Sequence, residues 1–126
     1  MATEAITCEL CTPHDVLIEN ALAYVRYDNN SLSRAHVLVV PRRHVANFFD
    51  MTAEEQSAVL TLLNQAHKAI QTRHSPDGYN IGVNIGGAGG QSRMHVHIHL
   101  IPRYAGDVTD PRGGIRCVLA DKNHAA

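Results

Sequence analysis

The sequence has little of what marks membrane, secreted or nucleic-acid-binding proteins. Its 11 basic and 12 acidic residues leave a formal net charge of -1, too small for electrostatic binding to nucleic acid or to a membrane surface. No apolar run approaches the roughly 20 residues that span a bilayer, and the N-terminus has no basic segment ahead of an apolar stretch, as a secretory signal would. Since the three cysteines then indicate a reducing compartment, we expect a cytoplasmic protein.

Two residue types are unevenly distributed along the 126 residues. Three of the nine histidines fall within five positions, at His95, His97 and His99, and six of the nine glycines lie between Gly78 and Gly90. The composition, 44% hydrophobic and 18% charged, is otherwise ordinary for a globular protein, and the length suits one domain spanning residues 1–126. Because the glycine-rich and the histidine-rich segments are adjacent, we expect the functional site to lie there.

The hydrophobic patterning predicts an α+β fold. Thr52 and Glu55 have the spacing of a capping box, and the apolar residues behind them recur at helical spacing, which predicts a helix to about Arg73. That apolar stripe comprises Val59, Leu62, Leu63, Ala66 and Ile70. Pro41 and Pro102 are each expected to end a strand, because proline cannot donate to a central ladder. Strands are predicted at 22–27, 36–40, 79–85 and 94–101, and the short loop at 86–90 makes the last two antiparallel.

The predicted strand at 94–101 alternates strictly between apolar residues and histidines. Side chains on a strand point alternately to opposite faces, so His95, His97 and His99 are expected to share one face, about 6.6 Å apart. The opposite face, expected to pack inward, carries Met94, Val96, Ile98 and Leu100. A solvated strand face is one interpretation, and clustered imidazoles also serve metal ligation or nucleophilic and acid-base chemistry near pH 7.

A glycine-rich loop precedes the histidines, from Asn84 to Ser92. It joins two strands, so it is neither a Rossmann turn nor a P-loop, both of which open helices. A run of glycines lets backbone N–H groups converge on an anion, although the same run would also suit a flexible hairpin. With Gln91 and Ser92 as donors beside three histidines, the loop indicates a phosphate site.

These residues together resemble the signature of the histidine triad (HIT) superfamily, His-x-His-x-His followed by two apolar residues. The matching segments are Gly90-Gln91-Ser92 and His95-Val96-His97-Ile98-His99-Leu100-Ile101. The stretch from His36 to His44 resembles the family's earlier strand, and Asn84 stands where the family has a phosphate-contacting asparagine. Ala35 is a departure, since the family usually has glycine before that histidine. The likeness covers the chain from about Cys8 to Arg103.

The resemblance implies a HIT-like fold. This is an antiparallel sheet of about five strands with one long helix and a short N-terminal helix, and the sheet continues across a homodimer. The core would span about residues 8–103, and a C-terminal tail residues 104–126. Arg112 and Arg116 lie in a tail segment that resembles bacterial dinucleoside polyphosphate hydrolases, where they are candidates for polyphosphate contact or simply solvated side chains.

The resemblance also implies nucleotidyl chemistry. In that family the middle histidine, here His97, attacks the α-phosphorus of a dinucleoside polyphosphate or nucleoside phosphoramidate, and water then releases a nucleoside monophosphate from the nucleotidyl-histidine. Neutral imidazole is a competent nucleophile at pH 7. The implied catalytic residues are His97, His99, His36, Gln91 and Ser92. The implied residues for binding a purine nucleotide are Asp28, Asn84, Gly89, Gly90, Gln91, Ser92, His97 and His99.

A second candidate site begins with the pair Cys8 and Cys11. By itself a C-x₂-C pair is compatible with chance, redox chemistry or metal binding. Some HIT proteins hold a structural zinc with such a pair, a histidine after the conserved proline, and the first triad histidine, which implies His44 and His95 as the other ligands here. Two cysteines and two histidines form the closed tetrahedral set that structural zinc prefers.

Two other functions are compatible with the same residues. One is a non-catalytic regulator that binds a purine nucleotide and retains the pocket. The other is a metalloenzyme in which the strand histidines ligate a catalytic zinc. That metalloenzyme would have no use for the glycine loop with Gln91 and Ser92, and histidines evenly spaced on a strand would lie too far apart for one ion.

Overall fold

The computed structural model describes residues 8–122, with side-chain surroundings as far as residue 119. Residues 1–7 and 123–126, which belong to the predicted domain of residues 1–126 and its tail, lie outside the described part. Five strands form one antiparallel sheet in the order β1-β2-β3-β5-β4. The strands are β1 (Ile18–Glu19), β2 (Ala23–Tyr27), β3 (Val37–Pro41), β4 (Gly78–Gly82) and β5 (Ile98–Arg103).

One long helix, α1, runs from Ala53 to His74. The predicted capping box is present, because the Thr52 hydroxyl accepts from the Glu55 N–H at 3.0 Å and the Glu55 carboxylate accepts from the Thr52 N–H at 2.9 Å. The helix ends at Ser75, which adopts the left-handed conformation at φ 50°. Within residues 8–122, no helix combines the length and the apolar character needed to cross a bilayer.

The two faces of the sheet are covered differently. One face packs its apolar side chains, such as Val39 and Ile98, against the buried stripe of α1. Within residues 8–122, the other face is covered by a short N-terminal 3₁₀ turn, Glu9–Cys11, whose Leu10 packs on Tyr24, and by Val16 beside it. The predicted α+β fold is thus confirmed, the predicted short N-terminal helix is a single 3₁₀ turn, and the face opposite α1 is left available for a site.

The last two strands are shorter than predicted. The predictions of strand at 83–85 and 94–97 are wrong, because β4 ends at Gly82 and β5 begins at Ile98. The Val96 N–H instead donates to the Val45 carbonyl at 2.8 Å, in the loop after β3. Continuing the register of Gly82 and His99 by two residues would place Asn84 opposite His97. The ladder therefore opens where the predicted site residues lie.

Two smaller predictions at this strand also differ. Pro102 does not end β5, which continues through Arg103. The Pro102 carbonyl accepts from the Ser33 hydroxyl at 2.6 Å. Because the nitrogen and the carbonyl of a strand residue face the same neighbour, the Pro102 nitrogen, which has no N–H, also faces away from β4. Met94 is 48% exposed and does not join the core, whereas Val96, which also precedes the strand, does. Pro41 is the last residue of β3, as predicted.

Candidate active site

A cavity of about 210 Å³ opens on the face of the sheet opposite α1, where β4 and β5 separate. It brings together five predicted site residues from distant parts of the chain: Asp28, Asn84, Ser92, His97 and His99. The other lining residues are Leu10, Arg26, Asn29, Asn30, Leu38 and Arg93. A larger groove of about 580 Å³ lies between α1 and β1–β3, but none of the predicted site residues line it.

His97 is held in one orientation by its own backbone neighbourhood. Its Nδ1 lies 2.9 Å from the His95 carbonyl oxygen, which only accepts hydrogen bonds, so Nδ1 carries the proton. In the neutral ring the lone pair is then on Nε2. The structure therefore gives His97, which lines the cavity, the tautomer that a nitrogen nucleophile requires.

A chain of hydrogen bonds orients His99 through His36. The Leu32 N–H donates to His36 Nδ1 at 3.0 Å, and burial lowers the pKa of His36 against a smaller opposing effect of Asp28. The neutral ring therefore carries its proton on Nε2, which donates to His99 Nδ1 at 3.0 Å. Burial, together with the neighbouring His97 and His36, also lowers the pKa of His99. His99 is thereby left with an N–H on Nε2 in a cavity suited to oxyanions.

Asp28, His36 and His99 offer three possible metal-ligand atoms within 4.8 Å of one another. The hydrogen bonds argue against their use as ligands. His36 Nδ1 already accepts from the Leu32 N–H, so a neutral His36 has no second lone pair for an ion at Nε2. The cluster is better described as an orienting network, in which Asp28 Oδ2 lies 3.4 Å from His36 Nε2.

The glycine loop contains a short 3₁₀ turn, Gly87–Gly89, between two glycines of positive φ, Gly86 at 76° and Gly90 at 91°. Asn84 lies beside Gly90 and faces the same cavity as Ser92. Gln91 does not line that cavity. It is only 7% exposed. Its side-chain oxygen accepts from the Gly86 N–H, and its side-chain nitrogen donates to the carbonyls of Ala46 and Arg93. Gln91 thus holds the loop in position.

The four predicted metal ligands converge on one point. One donor atom from each of Cys8, Cys11, His44 and His95 lies within 4.8 Å of all the others. His95 is fully buried, and its Nε2 lies 2.8 Å from the Pro41 carbonyl, to which it donates. Its Nδ1 lone pair therefore faces the sulfurs of Cys8 and Cys11, at 3.4 Å and 3.5 Å. This donor set and orientation fit a closed metal site with bond lengths of about 2.0–2.3 Å.

Sequence reasoning missed part of the cavity wall, namely Leu10, Arg26, Asn29, Asn30, Leu38 and Arg93. A signal existed for Arg26, an arginine inside a strand whose neighbours are buried, and the side chain is only 3% exposed. No local pattern marked Arg93, because its partner Glu9 lies 84 positions away in sequence.

The fold and the site define a class of proteins in which histidines at the start of a central strand meet a glycine loop in an open cavity. The family model for the HIT domain matches residues 10–106. The chain therefore belongs to the HIT family, as the histidine pattern predicted.

Relatives with assigned names lie within this family. The bifunctional bis(5'-adenosyl)-triphosphatase/adenylylsulfatase FHIT of Arabidopsis thaliana is 36% identical over 95 residues, 75% of this chain and 53% of that protein. AP-4-A phosphorylase of Mycobacterium tuberculosis is 32% identical over 93 residues, 73% of this chain and 48% of that protein. The chain thus spans about half the length of these curated relatives.

A solved structure with the same fold is the zinc-bound histidine triad family protein of Mycobacterium smegmatis. It superposes with a TM-score of 0.75 at 26% identity, covering 84% of this chain and 81% of that chain.

Proposed function

We propose that this protein is a nucleotide hydrolase or transferase of the histidine triad type. It cleaves at the α-phosphate of a dinucleoside polyphosphate or a nucleoside phosphoramidate and releases a nucleoside monophosphate. The observation that carries the proposal is the hydrogen bond from His97 Nδ1 to the His95 carbonyl, because it leaves the Nε2 lone pair on a ring that lines the cavity. A protein that only bound nucleotides would not need a nucleophile held in this tautomer.

The reaction takes two displacements at phosphorus. His97 Nε2 forms a bond to the α-phosphorus while the bond to the leaving group breaks. A nucleoside polyphosphate leaves with the electron pair, whereas an amine also takes up a proton, for which the Ser92 hydroxyl at the cavity is the proposed relay. Water then attacks the nucleotidyl-histidine, the P–N bond breaks, one proton is released, and His97 returns as the neutral ring. Throughout, the His95 carbonyl holds Nδ1–H.

The surrounding groups stabilise the charge that develops on the phosphorus oxygens. The His99 Nε2–H, the Ser92 hydroxyl and the Asn84 amide are donors at the cavity. The N–H groups of Gly89 and Gly90, predicted to contact phosphate, instead donate within the loop to the carbonyls of Gly86 and Gly87, each at 3.0 Å. Asp28, which lines the same cavity, is proposed to accept from ribose hydroxyls. Gln91 acts by holding the loop and His36 by orienting His99, so both are positioning residues.

The names of the relatives support nucleotide substrates with a polyphosphate chain. One relative is a bis(5'-adenosyl)-triphosphatase/adenylylsulfatase and another an AP-4-A phosphorylase. A regulator that binds nucleotides without turnover is the alternative from another class.

A substrate panel separates the two functions. We expect the protein to release nucleoside monophosphate from at least one dinucleoside polyphosphate or phosphoramidate, because the proposed nucleophile and the phosphate donors Asn84 and Ser92 line one cavity. Chromatography of the products measures this release, with enzyme inactivated at His97 as the blank. Tight nucleotide binding without any release across the panel would instead identify a regulator.

We further propose that Cys8, Cys11, His44 and His95 hold a structural zinc ion. A reducing cytoplasm, predicted from the cysteine count, would keep both thiols available. When bound, zinc supplies cross-linking rather than Lewis-acid chemistry, because four protein ligands leave no open position. By fixing His95, the site also fixes the carbonyl that holds His97 Nδ1.

We also propose a homodimer in which the sheet continues through β4. This strand lies at the edge of the sheet, its Ile81 is 53% exposed, and the 58% exposed Ile115 approaches Gly82. An edge strand with exposed apolar neighbours needs a cover, and pairing with a second β4 provides one.

Sedimentation should therefore show a dimer at micromolar concentration. Ile81→Lys is expected to shift the protein toward monomer, because it places two like charges close to the pairing axis. Phe49→Lys, at a 73% exposed position away from β4, is the matched control and should remain dimeric. A wild-type monomer would refute the proposal.

A further inference from the structure

A polar wall closes one side of the cavity. It consists of Arg26, Asn29 and Arg93, which line the cavity, and of Glu9 behind them. The Glu9 carboxylate accepts from the guanidinium groups of Arg93 and Arg26, and from the Asn29 amide at 3.2 Å. The two arginines, together with the Asn29 bond, hold the pKa of Glu9 below its usual value against the opposing effect of burial. The wall is therefore an ordered ionic network.

The position of this wall relates it to the nucleobase. His97 and Ser92 mark the phosphate end of the cavity, and Asp28 the proposed ribose end. Asn29 follows Asp28 directly and is bonded to Glu9, so the wall begins where the ribose would end. The backbone of Arg93 follows Ser92, but its guanidinium reaches the same Glu9 carboxylate and so lies on the Asn29 side of the cavity. Two apolar lining residues, Leu10 and Leu38, offer surface for the faces of a ring. A base attached to that ribose would meet the polar wall with its edge.

The two arginines of the wall are not equivalent. Arg26 is 3% exposed, and all three of its nitrogens are engaged, with the Tyr27 carbonyl, with Glu9 and His14, and with Asn29. Arg93 has a 47% exposed side chain, and only its Nη1 is bonded among the described side chains, to Glu9. Since a guanidinium has five N–H donors, Arg93 retains donors for a ligand.

We propose that Arg93, held in place by Glu9, reads the edge of the nucleobase and makes the site prefer guanine to adenine. Guanine presents two adjacent acceptors, O6 and N7, that match a guanidinium fork, whereas adenine presents N7 beside an N6 amino donor. The proposal rests on the proposed function, because it takes the cavity to be a nucleotide site. It names Arg93 as a specificity-determining residue of that site.

The test measures the dissociation constants of GMP and AMP by calorimetry on protein carrying His97→Ala, which removes turnover. We expect GMP to bind about tenfold more tightly than AMP, as one bidentate arginine contact typically provides. Arg93→Met should abolish this preference by weakening GMP selectively. Arg93→Lys should also lose most of it, because a lysine keeps the charge without the planar fork. Arg73→Met, an exposed arginine at the end of α1 outside the cavity, is the matched control and should keep the preference.

The outcomes separate this inference from the function on which it rests. If neither nucleotide binds at millimolar concentration, the proposed function fails as well. If both bind equally, or if GMP preference survives Arg93→Met, the cavity is a nucleotide site but Arg93 does not read the base. If Arg93→Met weakened the binding of GMP and AMP equally, Arg93 would contact the phosphate or the ribose rather than the base. If Arg93→Lys kept the preference for GMP, the positive charge alone would cause the preference, without a planar fork. Each of these results overturns the assignment.

Discussion

Replacing His97 with alanine is expected to lower the turnover of any substrate that wild type cleaves by more than about a hundredfold, as is usual when a nucleophile is deleted. The reason is that no other group in the cavity combines a free nitrogen lone pair with a fixed orientation. His99 Nδ1 is occupied by His36, and His95 is turned toward the cysteines. Without His97 the covalent route has no second nucleophile.

Nucleotide binding should survive this substitution. We expect the affinity for a nucleoside monophosphate to remain within roughly tenfold of wild type, because Asn84, Ser92 and the loop carry the ground-state phosphate contacts. Calorimetry measures that affinity and shows that the variant is folded. His67→Ala, which removes an exposed histidine in edge-to-face contact with Tyr79, is the matched control and should retain full activity. More than about a hundredth of the wild-type rate remaining in His97→Ala would contradict the nucleophile assignment.

A direct observation complements the kinetics. Quenching in alkaline denaturant during turnover should trap a protein species heavier by one nucleotidyl group, because the P–N bond of a nucleotidyl-histidine survives base but hydrolyses in acid. Peptide mass spectrometry, with the sample kept from acid, should place that group on His97. The adduct must be missing from His97→Ala. An adduct located on another residue would move the nucleophile there.

Protein purified without chelator is expected to contain about one zinc ion per chain, and Cys8→Ser is expected to lose it. The four ligands come from the N-terminal turn, the loop after β3 and the segment before β5, so the ion ties three distant parts of the chain together. Because metal binding of this kind is folding free energy, the melting temperature of Cys8→Ser should fall by on the order of 10 °C. Elemental analysis and thermal unfolding measure the two effects independently of activity.

The matched control is Cys117→Ser, since Cys117 lies in the tail outside the cluster. It should keep both the zinc and the melting temperature. Activity in Cys8→Ser should fall less than in His97→Ala, because the ion acts on His97 only through the His95 backbone. If the purified protein carries no zinc and Cys8→Ser melts with wild type, the metal proposal is wrong, and His95 is a hydrogen-bonding neighbour of the active site.

Chelation also separates the proposed mechanism from a catalytic-zinc enzyme. A metal-hydroxide mechanism would stop when the ion is removed. With His97 as nucleophile, turnover measured below the melting temperature of the metal-free protein should persist.

The local parts of the fold could be predicted from residues close together in the sequence. The capping box of Thr52 and Glu55 is present, since a helix start depends on groups three residues apart. The alternation from Val96 to Leu100 placed apolar side chains in the core, and the histidine pattern identified the family. In each case the physical cause acts within a few residues, so the sequence carries it directly.

The sequence by itself therefore determined the helix, the family and which residue types would meet phosphate. Only the tertiary structure decided where β4 and β5 separate, because their pairing ends at Gly82 and His99 and the chain before β5 then follows the loop after β3, where the Val96 N–H donates to Val45. It also decided that the Gln91 amide bonds to backbone groups and so holds the loop, and that Arg93 pairs with Glu9, which lies 84 positions away in sequence. These outcomes depend on contacts between segments far apart in the chain, and no local pattern in the sequence indicates which distant side chains will line the same cavity.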